Sequence, residues 1–538
     1  MKRTTVAFLS LFCLAFGILA VTYTMAQAAD GPKPSLLNPP IAQVKSGQLR
    51  GYMNGDIYVF AGVPYAKAER FEMPKSVDAW EDVKNAQSYG TIAPIQRMTR
   101  VGDDEFVWPH RYWAQSEECQ NLNIWTKKLD PDAKKPVLVF FHGGGYTNGS
   151  AIESWAYDGT NLSDYGDVVV VTVNHRLNVL GYLDLTAYGD QYKYSPHVGW
   201  ADLEMSLKWI QENITTFGGD PGNVTIFGQS GGGGKVITLM HMPSSKGLFH
   251  KAISQSSGSG FNFGKTTKAM STRIAALTFQ NLNIKEGDVD ALKKVPYDTL
   301  ITAADAAIAK VREEDPQNVA YINWNPIPDN DYVLNDYCDW AKDMPFMNGS
   351  VFSEQIPTFR IGDGRKNEWS ADETKANLKA RFGDNAEAVA AEFAKLFPNK
   401  RVGDAYFYST NGRNNIRKTS DIKHAAGGSG LIYEYLFAYE FPVNGGTTAF
   451  HCSELIYVFH NVSIPIISIA TGGTEESYKL QDVIATAWLN FAKTGNPSQE
   501  GLEWKPYTAE GKETMIFDAT SELRSFDDSK LFELMPLQ

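Results

Sequence analysis

The sequence predicts an α/β fold with a mostly parallel central sheet covered by helices, and three observations carry that expectation. Pro136-Val137-Leu138-Val139-Phe140-Phe141 and Val168-Val169-Val170-Val171-Thr172-Val173 are continuous apolar runs, the pattern of strands buried on both faces. Trp200 to Ile214 spaces Leu203, Leu207, Ile210 and Ile214 for one buried helical face, and such strand and helix patterns alternate through the first half. No internal repeat, low-complexity tract or long Pro/Gly/Ser linker divides the 538 residues, so one domain with long insertions is the simplest organisation.

Taken in order, the chain opens with Lys2 and Arg3, an apolar stretch from Val6 to about Val21, and Ala26-Gln27-Ala28-Ala29. This is the plan of a cleaved secretory signal peptide over residues 1–28, leaving 29–538 as the α/β domain and a secreted or periplasmic product. A membrane anchor is the competing reading, and the apolar stretch sits at the short edge of what spans a bilayer. No later segment is apolar enough to insert. With 43% hydrophobic and 12% aromatic residues the chain can bury a large core. A net charge of −12 disfavours nucleic acid and anionic membrane as partners. Past the signal, Cys119, Cys338 and Cys452 remain, an odd number that leaves at least one thiol unpaired within the chain.

Further strands are expected at Lys251 to Gln255, Pro345 to Ser350 and Ile432 to Phe437. Turn chemistry stands at Thr216 to Pro221, and helical patterns occupy Ser370 to Leu396 and Tyr478 to Lys493. The stretch Ile226 to Val236, IFGQSGGGGKV, could cradle a phosphate or mount a nucleophile. A phosphate loop needs a glycine where Gln229 stands and a hydroxyl where Val236 stands, so that reading fails. G-x-S-x-G fits: Gly228-Gln229-Ser230-Gly231-Gly232 follows the strand-like Val224 to Phe227 and precedes a helix from Lys235 to Met240.

A serine hydroxyl is a weak nucleophile at neutral pH, so it needs a base, a group that orients the base, and donors for the oxyanion. His142-Gly143-Gly144-Gly145 follows the strand ending at Phe141, and glycines let backbone N–H groups face an anion; the N–H of Gly231 adds a further donor. When the order is serine, acid, histidine, the candidate bases are His424, His451 and His460. His424 lies in a polar helical stretch and His460 follows the aromatic run Tyr457-Val458-Phe459, whereas His451 sits in a loop after the Ile432 to Phe437 strand, where a base belongs. Glu354 lies just beyond the Pro345 to Ser350 strand; taken alone, a glutamate there reads more readily as a surface residue.

Linked motifs extend along nearly the whole mature chain. They are Phe60-Ala61-Gly62-Val63-Pro64-Tyr65-Ala66 with Arg70-Phe71, Ser116-Glu117-Glu118-Cys119-Gln120-Asn121-Leu122-Asn123, Asn174-His175-Arg176-Leu177, Phe217-Gly218-Gly219-Asp220-Pro221, and Phe491-Ala492-Lys493-Thr494-Gly495-Asn496-Pro497. In these the chain resembles the type-B carboxylesterases, the cholinesterase and carboxylesterase group of the α/β-hydrolase fold. The resemblance implies a serine hydrolase cleaving small-molecule carboxylic esters through an acyl-enzyme. It makes Ser230 the nucleophile, Glu354 the acid, His451 the base and Gly144, Gly145 and Gly231 the oxyanion hole. It implies no metal or organic cofactor. Arg70 with Glu117 and Arg176 with Asp202 resemble the family's structural ion pairs. Phe106, Trp108, Tyr112, Trp113 and Trp324 fall where the family lines its gorge or pocket. Rival readings are a lipase for long acyl chains and a non-catalytic adhesion protein of the same fold, the latter disfavoured because all three triad positions are filled.

Departures from the family pattern carry expectations of their own. Gln229 and Gly231 stand where glutamate and alanine are common, removing a charge beside the serine and loosening the turn. Ala93 stands where the usual disulfide partner of Cys119 would be, so that bridge is expected to be absent. Cys452 replaces a glycine, with Cys338 as its candidate disulfide partner.

Overall fold

The computed structural model describes residues 37–96, 101–257, 266–319, 322–361 and 365–535; the expected signal peptide lies outside them. Eleven strands form one sheet. In chain order they are β1 (Tyr52–Asn54), β2 (Ile57–Pro64), β3 (Asn121–Thr126), β4 (Lys135–Phe141), β5 (Val169–Val173), β6 (Gly219–Gln229), β7 (Lys251–Gln255), β8 (Phe346–Val351), β9 (Ile432–Phe437), β10 (Glu513–Phe517) and β11 (Glu522–Ser525). Across the sheet the order is β11-β10-β9-β8-β7-β6-β4-β5-β3-β2-β1. Every pair from β10 to β5 is parallel, and antiparallel strands close both edges.

Successive residues of the parallel strands feed two cores, one on each face. Val137, Val139 and Phe141 pack into one, and Leu138 and Phe140 into the other, as the two-residue strand period requires. Helix α1 (Val198–Asn213) and helix α2 (Gly231–Met240) cover the first face with Leu203, Leu207, Ile210, Val236 and Leu239. Helix α3 (Thr410–Ala425) packs along β8 and β9, and helix α4 (Glu475–Thr494) covers the second face with Ile484, Trp488 and Phe491. Among the described residues no helix is long and apolar enough to cross a membrane.

The boundaries differ from expectation where a local signal was overridden. The turn read at Thr216 to Pro221 is confined to Ile214–Phe217 and Gly218. β6 starts at Gly219 and slips register before Val224, which absorbs Pro221 in the irregular part. The helical region from Ser370 is two helices, Ala371–Phe382 and Ala386–Leu396. A capping box between Ser370 and Glu373 starts the first, and Gly383, at φ 57°, ends it.

Two features of this topology position the site. The chain runs from β4 outward to β5 and then returns to β6 on the other side of β4, a switch point at whose carboxyl end the crevice opens. Register also levels the carboxyl ends: Gly228 pairs with Phe141, Gln229 with Gln255, and Val351 with Phe437. The loops after β4, β6, β8 and β9 therefore emerge on one rim.

Candidate active site

Ser230 follows β6 and caps α2 at φ 57° and ψ −125°, a conformation that non-glycine residues rarely adopt and that surrounding structure must enforce. The enforcement is main-chain: Ser230 N donates to Gln255 O at 2.8 Å, and Gly234 N donates to Ser230 O at 3.1 Å. Strand, sharp turn and helix are thus all present, with the side chain raised at the carboxyl edge of the sheet.

Beside it runs the loop after β4. Gly144 and Gly145 have φ 77° and 62°, and a Cβ at 144 would strike the Asn148 carbonyl. The backbone of Gly145 lies directly against Gly231, so that a Cβ at 231 would collide with the Gly145 carbonyl oxygen. Glycine at 231 therefore does not loosen the turn; it admits the loop. Among the described residues the N–H groups of Gly144, Gly145 and Gly231 have no backbone acceptor. Beneath the loop, the ammonium of Lys235, fully buried on α2, donates to His142 O at 2.8 Å. Burial pulls its pKa down to about 7.

Glu354 and His451 come from adjacent loops that hydrogen-bond to each other. After β8 and β9, Phe352 N donates to Phe437 O, Ser353 N to Ala449 O, and His451 N to Glu354 O, at 2.9 to 3.0 Å. These bonds bring residues 97 positions apart into one contact: His451 Nδ1 meets Glu354 Oε2 at 2.5 Å. The other carboxylate oxygen accepts from Val351 N at 3.1 Å. The Glu354 side chain also lies against Gly412 in the first turn of α3, where the helix dipole favours negative charge. Burial alone would lower the His451 pKa, but the charge and hydrogen bond of Glu354 outweigh it and leave the pKa above its ordinary value. Ser230, Glu354 and His451 open on one cavity of about 250 Å³, shared with Ser256, Ser257 and Asn415. The structure thus gathers all three sequence-selected side chains at one place.

Known proteins share the sequence and fold of this chain. The family model for the carboxylesterase family matches residues 38–530. The chain belongs to the carboxylesterase family. It is similar to the para-nitrobenzyl esterase of Bacillus subtilis, 31% identical with 91% of this chain and 97% of that protein covered. The phenmedipham hydrolase of Pseudarthrobacter oxydans is 28% identical, with 89% and 95% covered. Among solved structures, an esterase of Clostridium hathewayi that hydrolyses aliphatic aromatic polyesters superposes with a TM-score of 0.84 at 40% identity, covering 92% and 98% of the two chains. A carboxylesterase of Geobacillus stearothermophilus superposes at 0.68 with 30% identity, covering 90% and 97%. This carboxylesterase is accordingly a carboxylic ester hydrolase of the α/β-hydrolase fold.

The remaining sequence-selected residues separate into support and surface. Arg176 is a buried bidentate partner of Asp202, at 2.9 and 2.7 Å, and Arg70 pairs with Glu117 while donating to the Val295 carbonyl. His424 is exposed on α3, and His460 stacks on Tyr165 and bonds Asp482 at 2.8 Å. Trp108 and Trp324, expected to line a pocket, are only 4% exposed and pack in the two cores. Phe106, Tyr112 and Trp113 are exposed, and the latter two border a second cavity of about 440 Å³ that reaches Gly144. The disulfide considered between Cys338 and Cys452 is absent. Cys338 packs on the α1 and α2 face and Cys452 against the opposite core, so the sheet lies between them. Cys119 is also free, and Ala93 fills the space beside it with Leu177.

Four further residues of the site have no role assigned from the sequence. Lys235 stands where a phosphate loop would carry its lysine, a reading that Gln229 and Val236 exclude. Glu454, three residues past His451, is fully buried beside the site, and burial together with the Glu354 charge raises its pKa to about 7. Gln229 touches the imidazole and Cys452 touches Gln229; only their departure from the family pattern marked them.

Proposed function

We propose that this carboxylesterase works as a serine esterase with Ser230 as nucleophile, His451 as general base and Glu354 as the group that orients it. The observation that carries this reading is the Glu354–His451 bond in the same small cavity as a strained, half-buried Ser230. His451 takes the Ser230 proton at Nε2, because Nδ1 is committed to Glu354. The Oγ attacks the acyl carbon, and the oxyanion collects hydrogen bonds from the N–H groups of Gly144, Gly145 and Gly231. Collapse expels the alcohol, protonated by His451, and leaves an acyl-Ser230. Water, deprotonated by the same imidazole, then attacks the acyl carbon and frees the acid.

The substrates are soluble esters with an aromatic or short aliphatic part. Supporting this are the aromatic wall of Tyr112 and Trp113 on the cavity that reaches Gly144, and the aliphatic aromatic polyesters cleaved by the Clostridium relative. The N-terminal pattern of Lys2, Arg3, Val6 to Val21 and Ala26 to Ala29 supports export of the enzyme to the periplasm or medium.

Ser230→Ala tests the assignment. Hydrolysis of p-nitrophenyl acetate is expected to fall by roughly 10⁶-fold with the melting temperature retained, and labelling by an organophosphate is expected to disappear. Retained activity would remove Ser230 from the mechanism. A series of p-nitrophenyl esters of rising acyl length separates the esterase, which loses rate with length, from a lipase, which gains it.

A further inference from the structure

Two side chains that depart together from the family pattern touch beside the base. The Cys452 Sγ–H donates to Gln229 Oε1 at 3.0 Å, and Gln229 Nε2 stands 3.3 Å from both ring nitrogens of His451. A nitrogen equidistant from both ring nitrogens lies on the plane that bisects the ring. At this range an in-plane position would drive it into Cε1, so the amide lies over the imidazole face. It acts as a wall behind the ring rather than as a cap on either nitrogen.

The backbone shows that Cys452 is placed there at a cost. Its φ is 76°, the left-handed region that glycine enters freely and a residue with Cβ does not. What the thiol supplies is a direction. An S–H needs an acceptor, so it fixes the oxygen of the fully buried Gln229 toward sulfur and the NH2 toward the ring. Burial, reinforced by Glu454, pushes the Cys452 thiol well above its ordinary value, so it remains a neutral donor.

We infer that Gln229 and Cys452 form a positioning pair for His451, the thiol orienting the amide and the amide holding the imidazole for proton transfer with Ser230. The inference rests on the reading of His451 as the base. The other groups facing that imidazole, Glu354, Glu454 and Arg360, are untouched by substitutions in the pair.

Cys452→Gly is the test, because it deletes the thiol while relieving the left-handed backbone. The kcat for p-nitrophenyl acetate is expected to fall roughly tenfold at unchanged KM, with a melting temperature that holds or rises. The acid limb of kcat/KM moves to higher pH, since the freed amide can turn its oxygen onto the imidazolium. Cys452→Ser, which keeps a donor, recovers most of the loss. A Cys452→Gly enzyme with unaltered kcat and acid limb overturns the inference. So does a loss that follows a falling melting temperature and is not restored by serine, which would make Cys452 a packing residue. His451→Ala is measured alongside: an inactive His451→Ala with a fully active Cys452→Gly sinks only the pair, whereas an active His451→Ala sinks the functional reading as well.

Discussion

Around Ser230 the chain is held by its own backbone: a strained φ, main-chain bonds to Gln255 and Gly234, and the Gly145 backbone lying against Gly231. Around His451 it is held mainly by side chains, with Glu354 on one edge of the ring and Gln229 over its face. The first region tolerates almost no added atoms, while the second depends on particular polar groups and their orientation. An ester hydrolase needs both. The oxyanion donors must not reorganise as charge develops, whereas the imidazole must accept and release a proton within a fixed frame.

Substitutions can sharpen that contrast. The largest effect is expected in the side-chain region, where Glu354→Gln keeps the shape but loses the charge that orients and stabilises the imidazolium; kcat should drop by roughly 10⁴-fold with little change in melting temperature. Measurement of kcat for p-nitrophenyl acetate checks it, and a loss under tenfold would break the assignment of Glu354. Next comes Gly231→Ala in the backbone region. It restores the residue common in the family, yet its methyl meets the Gly145 carbonyl, so kcat should fall about 10²-fold with KM little changed. An unimpaired Gly231→Ala would show that the loop can retreat and that backbone rigidity is not the constraint.

The pH profile gives a smaller effect. The Glu354 carboxylate holds the His451 pKa above its ordinary value, and only the neutral imidazole can take the serine proton. kcat/KM should therefore be full above that pKa and fall about tenfold per pH unit below it. Residual activity of Glu354→Gln should show the limb moved to lower pH. Smallest is Lys235→Met, which removes the bond to His142 O beneath the oxyanion loop and should cost kcat several-fold, on the order of one hydrogen bond, without altering the acid limb.

The same contrast explains what the sequence disclosed. The nucleophile region is written in short consecutive motifs, G-x-S-x-G and the glycines after Phe141, because a turn's geometry is a local matter. The parallel strands were legible for a similar reason: β7 and β9 lie where their apolar runs placed them. β3 escaped notice as a strand because Asn121 and Asn123 break its apolar run. Both are buried, and Asn123 bonds Gly62 N and Thr172 Oγ1 across the sheet. The base region required the chain between two residues 97 positions apart to fold before Glu354 and His451 met, so their pairing rested on resemblance rather than on spacing. Trp108 and Trp324 misled because aromatic residues in loops serve cores as readily as pockets. The contact between Gln229 and Cys452 has no linear signature at all.

One consequence follows from the small apolar packing of Ala93, Cys119 and Leu177. A bridge at that place would have joined residues 93 and 119 only after an oxidant had acted; here Ala93 and Cys119 meet by packing with Leu177, and every cysteine described is a free thiol. Among the described residues no bridge has to form, so the activity is expected to survive reductant in the assay.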